Sequence, residues 1–301
     1  MQIRMVRYFL TIARERHFAR AAAVCNVSQP TLSAGLASLE AQLGTRLVDR
    51  DRRFIGLTRE GEAVLPWAQQ IVAAFDSMGH AAEGASGPLC GELRLGSIPA
   101  SIPVTGYLCR ALLAVHPQLR VSVRSMTSRA IERELAAFEL DVGITYLDHE
   151  PPAHMLAVPL YTEHYLFVMH ASERLAGRAS IGWAEAISYP LSLLHRGMQN
   201  RRILDAMVAQ RGVSLNPMVT ADSYLALLAM VRDGGFATII PDSHAAILSG
   251  IDWATILPFD EPGPGNRIGL IVPDKAPISA IAAALISVSD RLKLPDRSAP
   301  P

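Results

Sequence analysis

Two groups of residues have types and spacings that suggest chemistry. Near the N-terminus, Ser28, Gln29, Pro30, Thr31 and Ser33 stand together at the start of a segment striped with Leu32, Leu36, Leu39 and Leu43. A glutamine side chain presents the donor and acceptor that match an adenine edge, and serine or threonine hydroxyls reach bases or phosphates. Arg50, Arg52 and Arg53 follow shortly after. Arginines in such a place neutralise phosphates, which gives affinity and position but little sequence information. Further along, Ser97 with Ile98, Pro99 and Ser101, and Thr127 with Ser128, each lie just past a strand-like segment and before a helical one. Hydroxyls at helix N-termini, beyond the carboxyl ends of strands, favour a small anion.

Other candidates point away from catalysis and metals. His149, His154, His164, His170 and His195 follow no ligand spacing on one helix. Ser97 lacks the glycine-flanked nucleophile elbow. Cys25, Cys90 and Cys109 are the only cysteines, and their spacing fits neither a disulfide framework nor a zinc site. The chain has 301 residues, half of them hydrophobic, with a formal net charge of zero. Residues 1–60 carry net +5 and the remainder net −5, so the head alone is expected to meet a polyanion. Arg14, Glu15, Arg16 and Arg20 interrupt the N-terminal stretch, and no apolar run is long enough to span a bilayer. No cofactor, metal or membrane is expected, and a reducing cytoplasm is the simplest compartment.

These residues need elements to hold them. Met5, Tyr8, Phe9 and Ile12 recur at helical spacing, and a short alanine-rich helix follows from Phe18. Asn26 and Val27 form the turn, Ser28 caps the next helix, Pro30 sits in its first turn, and Gly44 stops it. Two short helices around a tight turn make a helix-turn-helix, whose second helix enters the major groove. Residues 46–58 then read as a β-hairpin wing. Val64, Ala68, Ile71, Phe75, Met78 and Ala82 form a short heptad seam for pairing with the same helix of another chain. A hinge at 84–88 leads to strands (92–97, 120–124, 141–145, 165–169, 236–240) alternating with helices (108–115, 131–138), which predicts a mainly parallel sheet.

Together these features resemble the LysR-type transcriptional regulators of bacteria. The resemblance is most specific in Phe18, Ala19, Arg20, Ala21 and Ala22, in the run from Ser28 to Ser33, and in Leu39, Glu40, Leu43, Gly44, Leu47, Arg50, Leu57, Thr58 and Gly61. Beyond residue 90 it is one of layout, carried by Gly91, Leu95, Gly96, His116, Pro117, Leu140, Asp141, Gly143 and the pair Gly234 and Gly235. Val48 departs from the family's usual phenylalanine. Ala34 and Gly35 replace longer polar residues, which shifts weight from base contacts to phosphates and DNA shape.

The resemblance implies an α/β protein with an all-α-plus-wing head. A winged helix-turn-helix covers 1–58, and a dimerising linker helix and hinge cover 59–90. An effector domain like periplasmic binding proteins covers 91–301, with one subdomain at 91–161 plus 268–295 and the second at 162–267. The implied function is regulation of transcription by a homodimer or homotetramer that binds and bends double-stranded promoter DNA, with RNA polymerase as a further partner. The effector, a carboxylate or inorganic anion, is expected between the subdomains. Ser97, Ile98, Pro99, Ser101, Thr127 and Ser128 would form one wall; Arg196, Met198, Gln199, Asn200, Asp222 and Ser223 would form the other. A thiol-based peroxide sensor would need a cysteine pair in this domain, and Cys109 is the only cysteine well inside it. A free-standing solute-binding protein and a bare architectural DNA-binding protein are the alternatives; the basic head opposes the first and the large second domain the other.

Overall fold

The computed structural model describes residues 1–50, 54–84, 88–150, 154–171, 178–274 and 277–292. The chain divides into two units, Met1–Gly87 and Pro88–Pro301. In the first, α1 (Ile3–Glu15), α2 (Phe18–Val24) and α3 (Gln29–Leu43) precede a hairpin of β1 (Val48–Arg50) and β2 (Phe54–Leu57), then α4 (Arg59–Gly84). Asn26 takes φ 52°, the left-handed turn that lets α2 and α3 cross closely. Ser28 accepts from the Thr31 N–H at 3.2 Å, so a side chain satisfies one of the donors orphaned at the start of α3. Val6, Phe9 and Ile12 of α1 bury against Leu32, Leu36 and Leu39 of α3. Leu43, assigned to the same stripe, is exposed.

The wing is fastened by polar groups. Glu40, buried near the end of α3, accepts from the Leu47 N–H at 2.9 Å and the Val48 N–H at 3.3 Å. Thr58 caps α4 by accepting from the Gly61 N–H at 2.9 Å, and donates to the Arg46 carbonyl at 2.7 Å. Val48 is fully buried despite its small size. Gly35 faces α1, because a Cβ there would stand 2.5 Å from the Tyr8 ring. Its place is therefore set by helix packing and not by reach toward bases.

The seam expected along α4 is corrected at its start. Ala68 is buried in the head's own core, and Val64 packs against that core. Ala68 therefore cannot face another chain at the same time, while Val64 is only half-buried. Further on, Trp67, Ile71, Phe75 and Met78 are exposed.

The second unit holds two five-stranded sheets. The first has the order β4-β3-β5-β12-β6, from β3 (Cys90–Ser97), β4 (Gln118–Ser125), β5 (Val142–Tyr146), β6 (Met155–Glu163) and β12 (Asn266–Pro273). It carries α5 (Ile102–Val115), α6 (Ser128–Ala136) and α11 (Ala280–Ser289). The second has the order β11-β7-β10-β8-β9, from β7 (Tyr165–His170), β8 (Leu191–Leu194), β9 (Val219–Ala221), β10 (Ala237–Pro241) and β11 (Ala254–Pro258). With it go α7 (Trp183–Ala186), α8 (Gln199–Ala209), α9 (Tyr224–Gly234) and α10 (Ala245–Leu248). The mainly parallel sheet expected from the sequence is corrected to two mixed ones. The β12 strand runs antiparallel to β5 and β6, and β7 runs antiparallel to β10 and β11. The chain changes sheet between Glu163 and Tyr165, and returns between β11 and β12.

Gly61 provides a sharp test of the head. A Cβ there would lie 2.0 Å from the Leu47 carbonyl oxygen, which is backbone and cannot swing aside. Gly61→Ala is expected to cost ~1–3 kcal/mol of head stability by overpacking. Chemical denaturation followed by circular dichroism measures it, and an unchanged midpoint would refute the packing described.

Candidate functional site

At the head, Ser28, Gln29, Pro30 and Thr31 are exposed at the N-terminus of α3, and Ser33 is half-buried. The Ser28 and Thr31 hydroxyls engage each other at 2.8 Å, so the capping pair is partly self-satisfied. Gln29 lines a groove of about 600 Å³ with Arg16, His17, Phe18, Ala19, Phe54 and Ile55. That groove joins the start of the second helix of the motif to the wing. Along α3 the exposed residues after Thr31 include Ala34, Ala37 and Ala41, a face of small side chains. Arg50 ends β1, while Arg52 and Arg53 lie outside the described residues.

In the second unit a cavity of about 20 Å³ opens among the carboxyl ends of strands from both sheets. That is room for one molecule of water's size. Ile98, Pro99, Thr127, Ser128, Met198, Gln199 and Asn200 line it, as do Ala100, Tyr146, Leu194 and Tyr224. Thr127 caps α6, accepting from the Ala130 N–H at 3.3 Å. The N-termini of α6 and α8 thus meet across the cavity, and their partial positive charge is directed into it.

Several expected wall residues stand elsewhere. Ser97 and Ser101 are buried, bonded to each other at 2.8 Å and to the Ile98 carbonyl. They fix the turn after β3 and do not line the cavity. Arg196 is exposed and pairs with Asp205 at 3.4 Å. Arg201 is buried but committed to Asp205 and the Leu194 carbonyl, each at 2.8 Å. Arg202 pairs with Glu150 at 2.9 Å. The positive side chain expected in the cavity wall is therefore corrected, since no Arg, Lys or His lines it among the described residues. Asp222 is exposed, and Ser223 caps α9, accepting from the Ala226 N–H at 3.2 Å.

Tyr146, Tyr224 and Glu163 escaped the sequence reading. Tyr146 lies one residue past the strand assigned from the sequence, and Tyr224 directly follows Ser223. Glu163 ends a strand that polar and apolar residues do not alternate clearly enough to reveal. The Tyr146 hydroxyl donates to Glu163 Oε1 at 2.8 Å, and Asn200 Nδ2 donates to the Tyr146 oxygen at 2.6 Å and to Glu163 Oε1 at 3.3 Å. Burial pushes the Glu163 carboxyl well above the usual range; the Tyr146 hydrogen bond opposes this and nearby Asp242 adds to it. Burial, and then the neighbouring Glu163, push the Tyr146 and Tyr224 hydroxyls up as well. The Tyr224 hydroxyl is buried without a hydrogen-bond partner among the described residues. None of the three cysteines lines the cavity. Burial raises the Cys109 thiol pKa. Among the described residues no group of three or more His, Cys, Asp or Glu side chains is placed to hold a metal, and no helix is long and apolar enough to cross a membrane.

A carboxyl raised in the folded state keeps its proton where the unfolded chain has lost it, so stability falls as pH rises. As pH rises above about 4.3, wild type should lose stability relative to Glu163→Gln, because the folded carboxyl holds its proton more tightly than the unfolded one. Denaturant midpoints of both proteins between about pH 5 and pH 7 measure it. Parallel pH profiles would show that Glu163 is charged in the folded state.

Residues 3–62 match the family model "Bacterial regulatory helix-turn-helix protein, lysR family", and residues 86–292 match "LysR substrate binding domain". A probable hydrogen peroxide-inducible genes activator of Mycobacterium avium is 34% identical over 271 residues, covering 88% of this chain and 86% of that one. Among solved structures, a full-length OxyR cysteine variant from Pseudomonas aeruginosa has TM-score 0.75 and 26% identity, covering 97% of this chain and 99% of that one. Full-length CbnR complexed with its target DNA has TM-score 0.69 and 25% identity, with the same coverage. The structural likeness thus extends over nearly the whole chain, the winged helix-turn-helix and the paired α/β sheets alike. The chain belongs to the LysR family of DNA-binding transcriptional regulators, and it is a regulator, not an enzyme.

Proposed function

We propose that this LysR-family regulator reads its promoter through the N-terminus of α3 and the wing, and that a small polar effector in the cavity between the two sheets sets how the promoter is held. The observation that carries the reading is the meeting of the α6 and α8 N-termini at the cavity, which Thr127, Ser128, Gln199 and Asn200 line. Helix ends and hydroxyls suit a small carboxylate or inorganic anion. The ligand must favour one arrangement of the two sheets, since equal affinity for both shifts nothing. The exposed Trp67, Ile71, Phe75 and Met78 on α4 support pairing with the same helix of a second copy, as homodimer or homotetramer.

Hydrogen peroxide is the second reading. The name of the mycobacterial relative favours it, and so does a cavity no larger than a water molecule. Reactive cysteines are thiolates in polar, accessible settings, whereas the Cys109 thiol is pushed up by burial and no cysteine reaches the cavity. A peroxide response in this chain would therefore act through hydrogen bonds, without a disulfide.

At the DNA, Gln29→Ala is expected to relax preference at one base pair by ~1–3 kcal/mol, while sparing the salt dependence of binding. Footprints on promoter variants measure it, and an unchanged preference would refute the proposed orientation. At the cavity, the footprint is to be recorded with formate, phosphate or hydrogen peroxide, on wild type and on a variant with Cys25, Cys90 and Cys109 changed to Ser. A saturable change with an anion supports the first reading. A peroxide response that survives loss of the cysteines supports the second, and one abolished with them overturns both.

A further inference from the structure

We infer that Gln199 is a tethered occupant of the effector cavity: its own side-chain carboxamide fills the place of a ligand and latches the two sheets together. This rests on the reading of the cavity as the effector site. Gln199 is the first residue of α8, in the second sheet's layer, and is nearly fully buried. Both ends of its amide are used on the opposite layer. Its Oε1 accepts from the hydroxyl of Ser128, the first residue of α6. Its Nε2 donates to the His149 carbonyl, in the loop after β5, at 2.6 Å. Asn200 beside it reaches over to Tyr146. That bond is continuous with the buried Glu163 cluster, whereas Gln199 and its partner Ser128 both line the cavity.

The space left over is what a half-filled site leaves. The cavity beside the carboxamide holds one water-sized molecule, and Tyr224 is among its lining residues. A ligand replacing the carboxamide needs an acceptor for the Ser128 hydroxyl and a donor for the His149 carbonyl. A primary amide meets both requirements. A fully ionised carboxylate meets only the first, because two acceptors would face each other at His149. The chemical class assigned to this site therefore replaces the anion proposed above, while keeping the cavity as the effector site: a small planar molecule carrying an oxygen acceptor and an N–H or O–H donor side by side, which competes with Gln199.

Gln199→Ala deletes a fragment that differs from acetamide by one hydrogen. The full-length variant should melt roughly 4–8 °C below wild type, as expected for two buried hydrogen bonds lost. Acetamide should raise its melting temperature saturably while leaving wild type unmoved, and N,N-dimethylacetamide, which has no N–H, should do nothing. Equal effects of acetamide on both proteins, or stabilisation by acetate in preference to acetamide, would overturn the proposal. If Gln199→Ala does not fold, the volume-conserving Gln199→Met replaces it. Ser128→Ala should lower the melting temperature by roughly 2–4 °C in wild type and by nothing further in the Met variant. Additive losses would overturn the pairing. Acetamide rescue that leaves the promoter footprint of Gln199→Ala unchanged would uphold the tethered occupant and overturn the cavity as the effector site.

Discussion

The second unit depends on how a few buried polar groups are satisfied where the chain passes from one sheet to the other. Glu163 is the last residue of one sheet before the crossover, and Tyr165 opens the next. Burial makes a charged carboxylate costly there and raises the Glu163 pKa, while hydrogen bonds donated by Tyr146 and Asn200 hold its Oε1 and oppose that rise. The same three side chains come from β5, β6 and α8, and so tie both sheets to one point. Asp242, just after β10, is bound in turn by the backbone N–H of His164 at 3.1 Å. The crossover is therefore fixed by directional bonds as well as by apolar packing. Directional bonds tolerate few arrangements, which is what a two-state element requires.

The cavity inherits its character from this arrangement. Its wall combines two helix N-termini and the polar side chains of Thr127, Ser128, Gln199 and Asn200 with the apolar Ile98, Pro99, Ala100, Leu194 and Met198, and the nearby arginines are committed to Asp205 and Glu150. The head solves a different problem with similar means. Glu40 and Thr58 use buried or capping oxygens to hold the wing to α3 and α4, leaving Gln29 and the small residues of α3 exposed. With Ala34, Ala37 and Ala41 on that face, few side chains extend beyond its first turn.

The sequence by itself determined the features whose causes are local. The Ser28 cap, the Asn26 turn and the Gly44 stop follow from backbone preferences of single residues, and the stripe of Leu32, Leu36 and Leu39 follows from helical period. The hydroxyls of Thr127 and Ser128 were legible because a cap and a strand end leave marks within a few residues. Only the tertiary structure decided which distant groups meet. Sequence spacing does not show that β12 returns antiparallel between β5 and β6, that Val64 and Ala68 turn into the head's own core, or that Ser97 and Ser101 bond to each other behind the cavity. Nor does it show Gln199 spanning from α8 to Ser128 and His149. The pairing of polar groups far apart in the chain is set by strand order and by the cost of leaving a buried donor or acceptor without a partner, and that cost acts only once the chain has folded.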